Sequence, residues 1–541
     1  MSIDNASHHD MERKFYDTII VGGGASGCVL AARLSEDPNR SVLLLESGGA
    51  DTDPAVPAPH GLFALQSEAF NWSDQTVPQE KLGGRRVMVS SGHVLGGGGT
   101  INFLAWFRGV PLDYDGWATR GMTGWGWADV LPRFRRAEDH ELGASAFHGT
   151  GGPMPVTTAP DLNPLSLAFI TAGVEKGLDL NRDFNGAQRD GVGLLYSNVR
   201  NGERVSAARG YLHPVLHRTG LTVLTGATVR RVVIHNRAVT GVEYTDTEGR
   251  QTIAQSPWVV LCAGTLRTPH LLMLSGIGPA DELAARGIEV VTDLPGVGQN
   301  LHDHPIVTAG WPVTSGETWA DATSPENRER YAICRRGPLA SIGQAAAFLR
   351  CGPDAPAPDI QLTPMLMDFT TMSLSGFSCI ATLLTPASRG SVRLRTDDPH
   401  AAPLVNPAYL TDESDAPCLI EALRRTLDLG ATASMRAFIG EENLPKADWD
   451  DSKMLSFVQD SLMSMNHPVG TCRSGTDDAS VVDPQLRVHG VRGLHIADAS
   501  IMPDIVRGNT HATAVMIGER AADLIGWRSR DSGIDRCVPG N

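Results

Sequence analysis

A chain of 541 residues is longer than one hydrophobic core organises, and at about 150 residues per domain it points to two to four domains. Its formal charge of −15 argues against nucleic acid or an anionic membrane surface as partners, because both require a basic footprint. Eight scattered cysteines without a CxxC pair argue against a disulfide scaffold or zinc site and imply reduced thiols and a cytoplasmic home.

The first 14 residues are polar and lack an apolar signal core. No run of about 18 apolar residues follows, so no membrane insertion is expected. Tyr16–Val21 turns continuously apolar, which predicts an inner parallel strand, and Cys28–Leu34 predicts a helix. Between them DTIIVGGGASG, residues 17–27, places Gly22, Gly24 and Gly27 where backbone can approach a pyrophosphate, with Ala25 and Ser26 opening the helix whose N-terminus holds anionic phosphate. A second apolar run, Ser41–Leu45, ends in Glu46. That acid falls about 20 residues beyond the glycines, where a carboxylate accepts ribose hydroxyls. The fingerprint alone leaves NAD and FAD open.

Asp51–Arg86 reads as extended and loop-rich, leading to SSGHVLGGGGTIN over Ser90–Asn102. Four glycines in a row predict a loop, and beside a dinucleotide fold they predict backbone lying flat against a planar cofactor. Aromatics gather in Phe103–Trp117, as core or cavity lining. Asn163–Gly177 predicts an amphipathic helix, Thr222–Val233 and Gly241–Thr245 predict strands, and Trp258–Cys262 predicts a strand followed by a turn and a helix at Pro269–Ser275. Ile360–Met367 and Phe377–Thr385 predict long strands of a separate sheet. Pro417–Gly430 and Asp451–Met463 have helical spacing, and Ser500–Asn509 leads into a closing helix, Thr513–Ile525. No second GxGxxG, GK[ST], HExxH or GxSxG motif is present, which argues against nucleotide hydrolysis, zinc proteolysis and serine-esterase chemistry.

Six ordered segments carry a resemblance. Besides the fingerprint they are HVLGGGGTIN (93–102), GTLRTPHLLMLSGIGP (264–279), LPGVGQNLHDHP (294–305), SRGSVRL (388–394) and HIADASIMP (495–503). The chain resembles the glucose-methanol-choline (GMC) oxidoreductases over nearly its whole length. The resemblance implies an α/β architecture: a Rossmann-type FAD-binding domain over 1–158, 205–310 and 461–541, interleaved with a substrate domain over 159–204 and 311–460 built on an antiparallel sheet flanked by helices.

It also implies roles. His467, in NHPVGTC, matches the catalytic histidine beside flavin N5, and an imidazole suits the task of accepting an alcohol proton. Asn509 matches its partner; His511 competes for that role, and Asn509 is favoured. Gly97, Gly98 and Asn102 carry backbone near the flavin ring, and Val229 lies in a segment whose backbone meets adenine or is only core. Asp498 lies near the ribityl and pyrophosphate chain or caps a helix. Ile101 stands where covalently flavinylated relatives have histidine, so FAD is expected to be noncovalent. Asn466 replaces an aromatic that shapes the pocket in several relatives, which weakens a choline-like reading. Cys472, His302 and His304 read as structural, the acid pairs at 450–451 and 477–478 as solvated charges, and no metal site is expected.

The implied activity is oxidation of a small neutral primary alcohol to its aldehyde by hydride transfer to FAD, with oxygen or another electron acceptor as second substrate and no oligomeric state assigned. The alternatives are a non-oxidative lyase or decarboxylase of the same family, and a flavin-free binding protein.

Overall fold

The computed structural model describes residues 15–441 and 443–526. The polar N-terminal arm and Cys537 lie outside the described residues. Five parallel strands form one sheet in the spatial order Leu221–Leu224, Val42–Leu45, Thr18–Val21, Val259–Leu261, Leu494–Ile496. The inner three are completely buried, because helices cover both faces of such a sheet and leave no alternation to read. Strand order reverses at Thr18–Val21, so a crevice opens at the carboxyl ends of the central strands. Helix Ala25–Leu34 follows the first strand and packs on the closing helix Thr510–Gly526.

A second sheet has six strands, all paired antiparallel, in the order Met463–Ser464, Pro305–Pro312, Gly376–Leu383, Ile360–Met365, Ala345–Leu349, Gly191–Leu194. One face rests on helices Pro164–Glu175 and Asp415–Gly430. The latter repeats buried positions at Cys418, Leu419, Ala422, Leu423, Thr426 and Leu427, an apolar stripe of helical period. The other face looks toward the crevice. Pro305–Pro312 crosses the expected domain boundary at 310, and Met463–Ser464 lies beyond the one at 461, so the sheet draws residues from both sides of two boundaries.

Three expected elements differ. The run Thr222–Val233 is two strands: Leu221–Leu224 joins the parallel sheet, and Thr228–His235 opens a three-stranded antiparallel meander. The break falls at Gly226, whose φ of +68° turns the chain. The glycine run is not wholly loop, since Gly98–Ile101 forms one helical turn after the positive-φ pair Gly96 and Gly97. Thr100 Oγ1 donates to Leu95 O and closes that turn. Asp51–Arg86 contains a 3-10 helix, Pro59–Gln66, and a strand, Asp74–Gln75, that pairs with Met88–Val89. Asp450 is more than a solvated charge: its carboxylate caps helix Asp451–Ser461 by accepting from Lys453 N at 2.9 Å.

Candidate active site

A cavity of about 700 Å³ runs between the crevice of the parallel sheet and the open face of the second sheet. On the parallel side it is lined by Gly22, Gly24, Ala25 and Ser26, where the first strand becomes a helix, and by Glu46 at the end of the second. Gly97, Gly98 and Asn102 line it from the glycine run, Val229 from the meander, and Asp498 from the turn after Leu494–Ile496. Gly27 is the exception among the expected cofactor residues. A Cβ there would sit 2.0 Å from Gly22 O, so this glycine lets the helix press on the turn from behind instead of facing the cavity.

The walls suit a dinucleotide. The helix that opens at Ala25 has no side-chain cap at Gly24, and its first-turn backbone N–H groups, which have no partner within the helix, suit anionic phosphate. Gly97 and Gly24 touch so closely that a Cβ on Gly97 would lie 2.7 Å from Gly24 Cα, a cradle available only to glycine. Glu46 accepts from Gly23 N and Gly48 N, each at 2.7 Å, and burial pushes its carboxyl up to about 7 against those two bonds. Asp498 caps two elements at once, accepting from Ser500 N at 2.8 Å through one oxygen and from Gly264 N and Thr268 Oγ1 through the other. Burial raises its pKa.

His467, Asn509 and His511 line the same cavity. Asp303 fixes the loop that carries His467: one carboxylate oxygen accepts from His467 N at 2.8 Å, and the other accepts from Tyr409 Oη and Ser464 Oγ at 2.5 Å each. Burial lifts the Asp303 carboxyl to about 6. A pair of threonines locks the other side of the loop. Thr265 Oγ1 donates to Pro468 O at 2.7 Å, and Thr471 Oγ1 donates to Thr265 O at 2.6 Å. The second bond has a local cause: Pro269, inside helix Gly264–Leu274, has no N–H for the carbonyl four residues earlier, and Thr471 satisfies it.

Three side chains surround the His467 ring. Asn509 Nδ2 lies 3.3 Å from His467 Nε2, and Gln361 Nε2 donates to Asn509 Oδ1 at 3.4 Å, which turns the amide N–H toward the imidazole. His304 Nδ1 lies 2.9 Å from His467 Nδ1. Burial, reinforced by His304, holds the pKa of His467 well below the ordinary histidine value. His511 is not brought to His467. It lies under Gly99, edge-on to Trp106 at 5.6 Å between ring centroids, and its Nε2 is buried without a partner among the described residues. Burial, then the Arg204 guanidinium, lowers it to about 4.

Sequence reasoning missed Asp303, Tyr409, Ser464, Gln361 and Thr265 as parts of this site, and treated His304 as structural. The signal available for His304 and Asp303 was their place in the HDHP segment. For Gln361 and Thr363 it was two polar residues two apart in an otherwise apolar strand, a spacing that puts both on one face.

Buried neutral histidines make the fold acid-sensitive. Burial holds His140, His270 and His511 near 4 and His304 near 3, and His302 and His467 are also depressed. The unfolded chain binds protons at these sites near 6.5 and the folded chain does not, so stability is full above that pH and is lost as pH falls toward the folded values. Glu46 and Asp303, raised to about 7 and about 6, and Asp113, Asp359, Asp498 and His148, also raised, act in the opposite sense, but the depressed histidines, His60 and His93 included, outnumber them. The melting temperature of the FAD-free protein is expected to drop between about pH 7 and about pH 5, and a flat profile there would contradict this arrangement.

The family model described as GMC oxidoreductase matches in two parts, an N-terminal one over residues 16–306 and a C-terminal one over 386–518. Among curated proteins the chain is 38% identical to an alcohol dehydrogenase [acceptor] of Pseudomonas putida over 526 residues, covering 94% of this chain and 95% of that protein. It is 37% identical to an oxygen-dependent choline dehydrogenase of Escherichia coli over 531 residues, covering 94% and 95%. Among solved structures it matches pyridoxine 4-oxidase from Mesorbium loti with a TM-score of 0.87 and 33% identity, covering 95% of this chain and 99% of that one. A cavity walled by a glycine turn, a helix N-terminus and a buried acid, under matches that span both halves of the chain, leads to one conclusion: this protein belongs to the GMC oxidoreductase family and is an FAD-dependent oxidoreductase.

Proposed function

We propose that this protein oxidises an apolar, uncharged primary alcohol, best an aryl or alkyl carbinol, to its aldehyde. The observation that carries this reading is the chemistry of the cavity wall facing His467. Phe103, Leu104, Leu195, Ile306, Met365 and Phe369 supply it, and the polar side chains of the second sheet on that wall are Gln361, Thr363 and Ser464. No charged group of that sheet lines the cavity. Asp74, which does line it elsewhere, is paired to Arg267 at 2.9 Å. A quaternary ammonium finds no free carboxylate on this wall and only Phe103 and Phe369 as aromatic rings, which argues against choline as the substrate.

Gly22, Gly24, Ala25, Ser26 and Glu46 would hold the nucleotide half of FAD, and Gly97, Gly98, Asn102 and Asp498 the flavin half. Ile101 offers no nucleophile for a covalent link. When bound, FAD supplies the two-electron acceptor that takes hydride from the carbinol carbon. His467 Nε2 takes the hydroxyl proton, and its depressed pKa keeps it neutral and ready at physiological pH. Asn509 donates its amide N–H to the substrate oxygen as negative charge gathers there, and Gln361 keeps that amide from turning. The apolar wall excludes water from the same space. Seven free cysteines among the described residues support a reducing, cytoplasmic location, and no helix among them is long and apolar enough to cross a membrane.

The test is anaerobic bleaching of the bound flavin by a panel of alcohols. Each hydroxyl pressed unpaired against the apolar wall costs about 1–3 kcal/mol, and a well-buried aromatic ring gains a similar amount. Benzyl alcohol should therefore exceed glycerol by at least about 100-fold in the apparent second-order rate of bleaching. Equal rates for the two, or choline as the fastest substrate, would overturn the reading. Repeating the successful reaction with oxygen, then with a quinone in its absence, identifies the electron acceptor.

A further inference from the structure

The geometry points to His304 as the positioning residue that fixes the proton of His467 on Nδ1 and leaves Nε2 bare toward Asn509 and the cavity. This rests on the reading of His467 as the proton acceptor.

The argument runs inward from a backbone carbonyl. His304 Nε2 lies 3.0 Å from Leu384 O. A carbonyl oxygen carries no hydrogen, so that ring nitrogen must be the donor. His304 is fully buried and burial holds its pKa near 3, so it is neutral and has only the one N–H; the Val506 carbonyl also faces the ring, and the Leu384 carbonyl at 3.0 Å is the one in hydrogen-bond geometry. Its Nδ1 is then a lone pair. Facing it at 2.9 Å is Nδ1 of His467, and two lone pairs do not approach to that distance without a hydrogen between them. His467 Nδ1 therefore carries the proton. A neutral imidazole has only one, so Nε2 presents a lone pair, to which the Asn509 amide donates at 3.3 Å.

Two consequences follow. Without His304 no lone pair faces His467 Nδ1, so nothing holds the proton there, and the tautomer that carries it on Nε2, with its lone pair pointing at the protein, is no longer disfavoured. The chain of bonds also ends at Leu384 O, which takes no proton. A proton accepted at Nε2 has no exit behind the ring and leaves through the cavity face by which it arrived.

The experiment compares His304→Leu, His304→Asn and His467→Ala in the FAD-loaded protein, with flavin content per chain as the control for folding. In His304→Asn the amide oxygen stands where Nδ1 stood and still accepts. Imidazole nitrogens are read by long-range proton–nitrogen NMR on histidine-labelled enzyme, the His467 signals being those absent from His467→Ala. The parent and His304→Asn should show a protonated Nδ1 and bare Nε2, and His304→Leu should show loss of that pattern. Turnover of benzyl alcohol should fall on the order of 100-fold in His304→Leu, in kcat more than in KM, with most of the loss restored in His304→Asn. A parent enzyme with the proton on Nε2 of His467 overturns the assignment whatever the variants do. So does a His304→Leu enzyme that keeps tautomer and turnover while His467→Ala is inactive. If His467→Ala itself remains active, the reading of the base fails instead.

Discussion

His467→Ala is expected to bind FAD as the parent does and to lose alcohol-dependent bleaching by roughly 100-fold to 10,000-fold, the range set by removing a positioned general base. That corresponds to about 3 to 5 kcal/mol on the barrier. Retention of FAD follows from how the loop is held. Its anchors are backbone and neighbouring groups: Asp303 on His467 N, Thr265 on Pro468 O, and Thr471 on Thr265 O. None of these uses the imidazole. The ring faces the cavity, so its removal enlarges that cavity instead of opening a void in the core, and leaves His304 Nδ1 without its partner. Asn509→Ala removes a donor and not the base, so its loss should be smaller, and it also frees Gln361 from its amide partner. Stopped-flow reduction under anaerobic conditions measures both, with dithionite bleaching as proof that the flavin can still accept electrons. A His467→Ala enzyme that bleaches at the parent rate would place the base elsewhere.

What the sequence disclosed depends on how local the cause is. The turn at Gly22–Gly24 is legible because strand, glycines and helix are consecutive, and the resulting position of the helix N-terminus needs no distant partner. The histidine at 467 is legible through its motif alone. Nothing in its immediate neighbours brings it to the mouth of a sheet more than 400 positions earlier. The six-stranded sheet is less legible because its inner strands are buried on both faces: Ile360–Met365 and Gly376–Leu383 are buried throughout, so the alternation that would reveal an open face is gone. Gln361 and Thr363 therefore read as two polar residues in an apolar strand until the sheet is seen against the cavity. His304 and Asp303 are consecutive residues with opposite tasks, one behind the imidazole and one under its backbone. Only the pairing of Pro305–Pro312 with Met463–Ser464 makes either meaningful. Gly27 is hard to read for a related reason: the fingerprint gives it the same letter as Gly22, but its missing Cβ makes room for the helix against Gly22 O.

Gly22→Val is expected to abolish the folded, FAD-bound protein, whereas Gly98→Val should fold and fail only to take up FAD. At Gly22 two penalties coincide. Its φ of +103° is a region that a β-branched residue does not enter without strain. A Cβ there would lie 2.4 Å from Cys262 O and 2.8 Å from Ala263 Cα, backbone at the end of the adjacent central strand that has nowhere to move. Overpacking of this kind typically costs 1–3 kcal/mol and more when backbone must shift, against a total domain stability of about 5–15 kcal/mol. Gly98 is different: it is helical, its φ is not positive, and no atom lies within 4 Å of where its Cβ would be. The space it leaves open belongs to the cavity. The Cβ of a valine there meets nothing within 4 Å and its methyls extend toward the cavity, so the FAD-free melting temperature should stay within a few degrees of the parent's. Flavin absorbance per chain and melting of the FAD-free protein separate the two variants. A Gly98→Val protein that still binds FAD at full stoichiometry would mean that the glycine run does not face the cofactor, and the proposed placement of the flavin half would have to be given up.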